Sequence, residues 1–161
     1  MNRAESGSNW LEGHIYARIP LVEELITLDI PAKAEYVVLG RLALAGLLRD
    51  RGFSDDAVAD LKLALTEACS NSVRHAYADG EGQVHLSFTV CHDRVVVAIR
   101  DEGEGFQEDD ELFDSFTTES GVTLSEGGMG MAIIRSVVDG FDLQRPTEGG
   151  TTLTLIKLRD A

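Results

Sequence analysis

The sequence predicts an α+β protein, a two-layer sandwich of a mostly antiparallel mixed sheet with helices on one face. Its predicted elements follow the order strand, helix, helix, strand, strand, long loop, helix, strand, strand. Helices that are segregated from antiparallel hairpins are typical of this class. The 161 residues contain no repeat and no linker, which fits one domain over residues 21–161. Residues 1–20 lack clear periodicity, so we expect an N-terminal extension that is flexible or a short added element.

The first half predicts one strand and two helices. The strand "LITLDI" (25–30) ends at Pro31, which would interrupt a strand ladder. Residues 32–51 are rich in Leu and Ala at helical intervals, with Gly52 as a C-cap. The second helix is predicted to run from the N-cap candidate Ser54 to the "ADG" turn. Its apolar stripe consists of Val58, Leu61, Leu65, Ala68 and Ser72.

The second half predicts two strand pairs, separated by a glycine-rich loop and a third helix. The short link "CHD" joins the first pair tightly, as in a hairpin. A polar loop as long as the one that follows is unusual unless it is functional. The predicted segments are strands 83–90 and 94–100, loop 101–128, helix 129–140, and strands 141–145 and 151–158.

Composition and charge limit the class of protein. The net charge of −14 disfavours nucleic acid as a general partner, because phosphates would be repelled. We expect a cytoplasmic protein with no membrane segment, since no apolar run approaches the roughly 18 residues that span a bilayer. Cys69 and Cys91 lack metal-type spacing and are expected to be buried and reduced. Residues 101–134 hold ten acidic residues and no Lys or Arg, which fits a solvated loop or a docking surface for a basic partner.

Three glycine clusters are candidates for ligand contact: "DEGEG" (101–105), "GGMG" (127–130) and "EGGTT" (148–152). A glycine-rich turn that enters a helix presents unpaired N–H groups to a phosphate. Each cluster taken alone is also explained as an ordinary turn. Neither G-x-x-x-x-G-K-[ST] nor a complete G-x-G-x-x-G is present. Bound phosphates would therefore be neutralised mainly by a metal and by backbone amides.

The second predicted helix carries Glu67 and Asn71 four residues apart, which places both side chains on one face. An amide oxygen is a hard ligand suited to Mg²⁺, and a carboxylate one turn away could orient a hydroxyl or accept its proton. A solvated polar helix face is the alternative explanation. Arg74 or His75 would extend the same row; an exposed position also fits Arg74, and packing near the helix end also fits His75.

In this combination and order, four motifs resemble those of the GHKL (Bergerat-fold) ATPases. The resemblance is closest to the small anti-sigma-factor serine kinases of the RsbW and SpoIIAB type, and it runs from about Leu25 to Lys157. It implies the Bergerat fold, with ATP and Mg²⁺ as cofactors. The motifs are "EACSN" (67–71) for the N box, "DEGEG" (101–105) for the G1 box, "GGMG" (127–130) for the G2 box and "GGTT" (149–152) for the last box.

The resemblance implies a role for each matching residue. Asn71 would coordinate Mg²⁺ at the ATP phosphates, and Glu67 would be the catalytic base toward the attacking hydroxyl. Asp101 would accept a hydrogen bond from the adenine amino group. Gly105 would leave room for the adenine ring, and Thr152 would support the adenine from the neighbouring strand.

On the phosphate side, the resemblance implies that Gly128 and Gly130 offer backbone amides and that residues 106–126 form an ATP lid. Glu119 stands where some members of the family carry a basic residue. That difference leaves the phosphate charge to Mg²⁺, the helix dipole and an Arg from elsewhere in the chain. The other cofactor-binding candidates are Gly103, Thr117, Thr118, Gly127, Met129 and Met131.

The implied function is an ATP-dependent serine-protein kinase that acts as an anti-sigma factor. It would sequester a sigma factor of RNA polymerase and phosphorylate a serine on an anti-anti-sigma antagonist with a STAS domain, as a homodimer. Two alternatives stay open: a module that holds ATP and sequesters a partner without kinase activity, and a switch kinase acting on a stressosome-type STAS scaffold. The detached catalytic domain of a histidine kinase is disfavoured, because His14 lies in an unpatterned tail.

Overall fold

The computed structural model describes residues 22–77, 81–103 and 126–160, so the predicted N-terminal extension lies outside the described residues. Within these ranges the chain forms five strands and three α-helices. No helix in them is both long enough and apolar enough to span a membrane. The elements are β1 (Val22–Pro31), α1 (Val37–Leu48), α2 (Asp55–Asn71), β2 (Gln83–Cys91), β3 (Arg94–Asp101), α3 (Glu126–Val137), β4 (Gly140–Gln144) and β5 (Thr151–Leu158), with a 3₁₀ turn (Ala34–Tyr36) before α1 and a π turn (Ser72–Ala76) after α2.

The strands form one sheet in the order β1-β2-β3-β5-β4, and all four neighbouring pairs are antiparallel. The predicted α+β class is confirmed, but the described strands contain no parallel pair, so the term "mixed" is corrected. After β1, the chain runs along the sheet in one direction through α1 and back through α2. It therefore enters β2 at the end where it left β1, and β2 is antiparallel to β1. The single helix α3 gives β3 and β4 the same direction, but β5 lies between them.

The core lies between the sheet and the helices. Along β2 and β3, buried residues alternate with more exposed ones, as expected for a sheet with one covered face. Burying one large aliphatic or Phe side chain stabilises a fold by roughly 1.5–3 kcal/mol, so the two layers are held together mainly by this cluster. Its largest fully buried side chains include Phe88, Ile30, Leu44, Leu61, Leu65, Leu86, Ile99, Ile134 and Leu155.

Helix α2 is the central helix, since it packs against α1 and α3 and contacts β3 and β5. Its predicted stripe is confirmed: Leu61, Leu65, Ala68 and Ser72 are buried and Val58 is half-buried. The predicted N-cap is also confirmed, because Ser54 Oγ accepts a hydrogen bond from the Ala57 amide at 3.1 Å. Because α2 is packed between α1, α3 and the sheet, the orientation of its polar face is fixed.

Helix α1 is shorter than the predicted 32–51, and it ends at Leu48. Asp50 and Gly52 both adopt positive φ, 59° and 77°, so the chain leaves the helix before Gly52. Gly52 therefore lies in the loop and does not cap the helix. A methyl group at that position would collide with the guanidinium of Arg159, so the glycine allows the C-terminal residues to pack against this loop.

The two cysteines are buried thiols, as predicted. Burial raises the pKa of the Cys69 thiol to about 12. This thiol therefore stays protonated at neutral pH and behaves as a small apolar core group.

Two glycines of α1 provide a matched test of how closely this helix packs. A methyl group on Gly40 would lie 2.8 Å from Leu86 Cδ1 and 3.2 Å from Leu65 Cδ2, whereas one on Gly46 would meet nothing within 4 Å. We expect Gly40→Ala to lower the free energy of unfolding by about 1–3 kcal/mol through overpacking. Gly46→Ala should raise it by about 0.5–1 kcal/mol, because alanine has the higher helix propensity. Urea unfolding measures both, and equal changes would contradict the packing.

Candidate functional site

Four of the sequence-predicted residues meet where β3 ends. Glu67 and Asn71 lie in the last two turns of α2, and Asp101 is the last residue of β3. Gly130 brings α3 against the Glu67 and Asn71 side chains. Asp101 is joined to the same helix end through a hydrogen bond from Ser72. Residues that are distant in the sequence thus form one group at the C-terminal end of β3.

The contact between α2 and α3 depends on the missing side chain of Gly130. A methyl group there would lie 3.0 Å from Glu67 Oε2 and 3.6 Å from Asn71 Oδ1. Gly130 is the fifth residue of α3, so its amide lies beyond the four unpaired N–H groups of the first turn. The amide of Gly130 is therefore not among the free amides of the first turn, where a phosphate would bind. Instead, Gly130 is the residue at which α3 contacts the side chains of Glu67 and Asn71.

The first turn of α3 contains Gly127, Gly128 and Met129, because this helix begins at Glu126 and not at the predicted residue 129. The amides of this turn have no partner within the helix, which is the geometry that the phosphate prediction requires. Met129 is 52% exposed. Met131 is 5% exposed and belongs to the hydrophobic core, so its side chain packs and does not face a ligand.

Asp101 is a buried acid, with 3% of its surface exposed. The Ser72 hydroxyl donates a hydrogen bond to Asp101 Oδ2 at 3.0 Å. Burial raises the pKa of the Asp101 carboxyl above its usual value, while the Ser72 hydrogen bond and the nearby amides of Gly103 and Thr151 act in the opposite direction. A buried carboxylate in this position can accept a hydrogen bond from a donor group on a ligand.

Three buried polar atoms around this group have no hydrogen-bond partner within the described part of the chain: Asn71 Oδ1, Asp101 Oδ1 and Thr151 Oγ1. Buried polar groups in folded proteins are nearly always hydrogen-bonded, and leaving one unsatisfied costs about 1–3 kcal/mol. Three such atoms at one end of the sheet fit a ligand that supplies donors and a metal. An amide oxygen for a hard cation and a carboxylate for an amino group match the two ends of ATP with Mg²⁺.

The threonine beside Asp101 is Thr151 and not the predicted Thr152. Thr151 pairs with Asp101 in the β3–β5 ladder and is 5% exposed. Thr152 pairs with Arg100 instead. Because successive side chains of a strand point to opposite faces, Thr152 belongs to the face of the sheet away from Asp101. The motif "GGTT" correctly identified the turn beside Asp101, but only the strand register shows which of its two threonines lies next to that residue.

The turn before β5 holds the end of β3 in place. Gly149 and Gly150 have φ of 98° and 83°, and the Gly150 amide donates to the Gly103 carbonyl at 3.1 Å. A methyl group on Gly150 would lie 2.5 Å from the Asp101 carbonyl oxygen, so only glycine allows this approach. A pocket of about 450 Å³ opens beside these residues, between the strand ends and the turn.

Tyr77 forms hydrogen bonds to the backbone next to Asp101. Its hydroxyl accepts a hydrogen bond from the Glu102 amide at 2.8 Å and donates to the Gln83 carbonyl at 2.6 Å. The tyrosine thereby ties the segment after α2 to the start of β2 and the end of β3. Sequence reasoning missed Tyr77, Ser72 and Thr151; of the three, only Thr151 lay inside a motif that gave a usable signal.

Arg74 is exposed, and its Nε donates to the Ser70 carbonyl at 3.4 Å, so the structure does not add it to the group around Asn71. The side chain of His75 is not among the described parts of the chain. Other predicted residues also lie outside the described ranges, together with the predicted lid at 106–126 apart from Glu126: Gly105, Thr117, Thr118 and Glu119.

Comparisons with known proteins show the family of this chain. Residues 30–157 match the family described as histidine kinase-like ATPase domain. The chain is 37% identical over 138 residues to the serine-protein kinase RsbW of Bacillus velezensis and to that of Bacillus subtilis strain 168, covering 83% of this chain and 85% of each relative.

Solved structures share the fold. The RsbU and RsbW domains of Rv1364c from Mycobacterium tuberculosis align with a TM-score of 0.58 at 21% identity, over 84% of this chain and 33% of that chain. The catalytic domain of the histidine kinase ThkA aligns with a TM-score of 0.51 at 12% identity, over 83% of this chain and 98% of that one. The match over residues 30–157 therefore shows that this chain forms a histidine kinase-like ATPase domain. Within that class, the chain belongs to the RsbW serine-protein kinase family.

The raised pKa of Asp101 predicts how stability depends on pH. Because the folded-state pKa lies above the usual 3.8, the favourable contribution of this group is present below that value and is lost as pH rises through the folded pKa. Asp101→Asn removes the ionisation and should increase the stability of the ligand-free protein at neutral pH. Urea unfolding between about pH 3 and pH 7 should show the advantage of the variant growing with pH. A difference that stays constant with pH would contradict the buried charge.

Proposed function

We propose that this protein is an ATP-dependent serine-protein kinase that also acts as an anti-sigma factor. It holds a sigma factor of RNA polymerase and phosphorylates a serine on an antagonist with a STAS domain, in the cytoplasm and as a homodimer. The observation that carries the catalytic part is the group of buried polar atoms on Asn71, Asp101 and Thr151 that have no hydrogen-bond partner within residues 22–77, 81–103 and 126–160. Glu67 lies near Asn71, against Gly130. The partners are supported by membership of the RsbW family.

Asp101 and Thr151 form the adenine end of the proposed site. A carboxylate oxygen accepts a hydrogen bond from an amino group, and a hydroxyl can donate one to a ring nitrogen of adenine. Both are buried, so these hydrogen bonds form away from water and count strongly toward recognition. The end of β3 and the Gly149–Gly150 turn fix both groups before ATP binds, which lowers the entropy lost on binding.

Asn71 and the first turn of α3 form the phosphate end. Mg²⁺ takes few protein ligands when phosphates supply the others, so the Asn71 oxygen suffices as the side-chain ligand. When bound, the metal neutralises phosphate charge and polarises the transferred group. The Gly127 and Gly128 amides and the positive end of the α3 dipole face the same negative charge.

Glu67 is the proposed catalytic base. Its carboxylate is half-buried and makes no hydrogen bond or ion pair within the described residues, and a methyl group on Gly130 would lie only 3.0 Å from Oε2. A carboxylate placed one helical turn from the metal ligand can accept the proton of a serine hydroxyl as the phosphoryl group is transferred. Phosphoryl transfer relies mostly on positioning, and the contact of α2 with α3 supplies that positioning for Glu67.

Two other functions use the same site. A protein that holds ATP and sequesters its partner without transferring phosphate needs Asn71 and Asp101 but not Glu67. A switch kinase acting on a stressosome-type scaffold needs all three and differs only in the protein that carries the acceptor serine. Catalysis and partner choice therefore have to be tested separately.

Glu67→Gln separates kinase from binding module. We expect wild-type protein to transfer ³²P from ATP to a cognate STAS antagonist, and Glu67→Gln to lower the rate by about 10²–10⁴-fold. ATP affinity, measured by calorimetry, should change little. Asp56→Asn is a matched control, because it makes the same acid-to-amide change on an exposed part of the first turn of α2. Equal transfer by wild type and Glu67→Gln would reject the proposed base; no transfer by wild type, with partner binding intact, would favour the binding module.

The partner is tested by a pull-down from the native host with ATP or ADP present, followed by mass spectrometry. We expect a sigma factor and a STAS protein to be recovered, with proportions that depend on the nucleotide. Recovery of a multi-subunit STAS scaffold without a sigma factor would reject the anti-sigma role and favour the switch kinase. Asp101→Ala serves as the control, since its recovery pattern should no longer depend on the nucleotide.

A further inference from the structure

We propose that Ser72 is a positioning residue for nucleotide recognition: its hydroxyl holds the Asp101 carboxylate so that Oδ1 faces the 6-amino group of the purine. The inference rests on the proposed ATP site and goes further, because it assigns selectivity for the 6-amino group to a residue that contacts Asp101 and is not part of the nucleotide motifs.

The contact is a buried side-chain hydrogen bond between elements that are distant in the sequence. Ser72 Oγ, just after the last residue of α2, donates to Asp101 Oδ2 at 3.0 Å. Ser72 is 8% exposed and Asp101 is 3% exposed, so water competes little for this bond. The remaining oxygen, Asp101 Oδ1, is buried without a partner in the described residues. The bond therefore leaves one specific oxygen of the carboxylate as the acceptor.

A carboxylate held by one oxygen behaves differently from one that rotates. The terminal torsion of an aspartate is broad and roughly two-fold, so an untethered carboxylate samples many orientations. Burial raises the pKa of the Asp101 carboxyl; the Ser72 bond selects one orientation and acts against that rise, toward the charged form that accepts from an amino group. Sites built to hydrogen-bond a ligand group discriminate strongly against the analogue that lacks it, because their buried polar atoms then stay unpaired.

The structural alternative is that Ser72 only helps to pack the end of α2. The two roles make different demands on the ligand. A packing role affects every nucleotide equally, whereas a positioning role affects only nucleotides that carry the 6-amino group. Purine riboside triphosphate has the ring, ribose and phosphates of ATP but lacks that group, so it isolates the contact.

The experiment measures, by calorimetry with Mg²⁺, the affinities of the full-length protein for ATP and for purine riboside triphosphate. The variants are Ser72→Ala and the matched control Ser70→Ala, a half-buried serine on the same helix with no side-chain hydrogen bond in the described residues. Melting temperatures of all ligand-free proteins are recorded alongside. We expect wild type and Ser70→Ala to prefer ATP by about tenfold or more, and Ser72→Ala to retain less than about a threefold preference.

Loss of the ATP preference in Ser72→Ala, with the affinity for purine riboside triphosphate kept, supports the proposal. An unchanged preference in Ser72→Ala, with wild type still binding ATP, overturns the positioning role and leaves the proposed kinase function in place. Equal weakening of both nucleotides also overturns it, because that is the result of a packing role. Failure of wild type to bind ATP at all overturns both this inference and the proposed function.

Discussion

The burial of the Asp101 carboxylate at the junction of α2, β3 and β5 is the constraint that organises this site. A buried acid is costly unless neighbouring groups support it, and here Ser72 and the nearby amides of Gly103 and Thr151 do so. Each of those groups comes from a different element. The three elements therefore meet around this acid, and the candidate ligand groups lie together there.

Two glycines allow close approach of the chain at this site. Gly130 lets α3 approach the Glu67 and Asn71 side chains, and Gly150 lets the turn before β5 approach the backbone of Asp101. A side chain on Gly130 would occupy the space of the Glu67 and Asn71 side chains, and one on Gly150 would occupy the space of the Asp101 backbone. The glycine motifs thus act here by close approach of elements, in addition to the phosphate contacts that glycine loops are known for.

Much of the fold could be predicted from local patterns. The order of elements, the α2 stripe, the Ser54 cap and the hairpin of β2 and β3 depend on neighbouring residues, which sequence periodicity reports directly. The C-terminal end of α1 could not be predicted in the same way, because positive φ at Asp50 and the contact of Arg159 with the Gly52 loop are tertiary features. That β3 and β4 do not pair in the described sheet also depends on the position of β5 between them, which no local pattern encodes.

For the site, the residue types follow from sequence alone: an acid and an amide one helical turn apart, an acid at a strand end, and glycines beside both. Spacing along a helix or strand is fixed by backbone geometry, so these assignments needed no structure. Three further facts come from the folded chain: Thr151 and not Thr152 lies beside Asp101, Ser72 donates a hydrogen bond to the Asp101 carboxylate, and Gly130 allows the contact between α2 and α3. Those facts depend on strand register and helix packing, which are set by the whole core and not by any one motif.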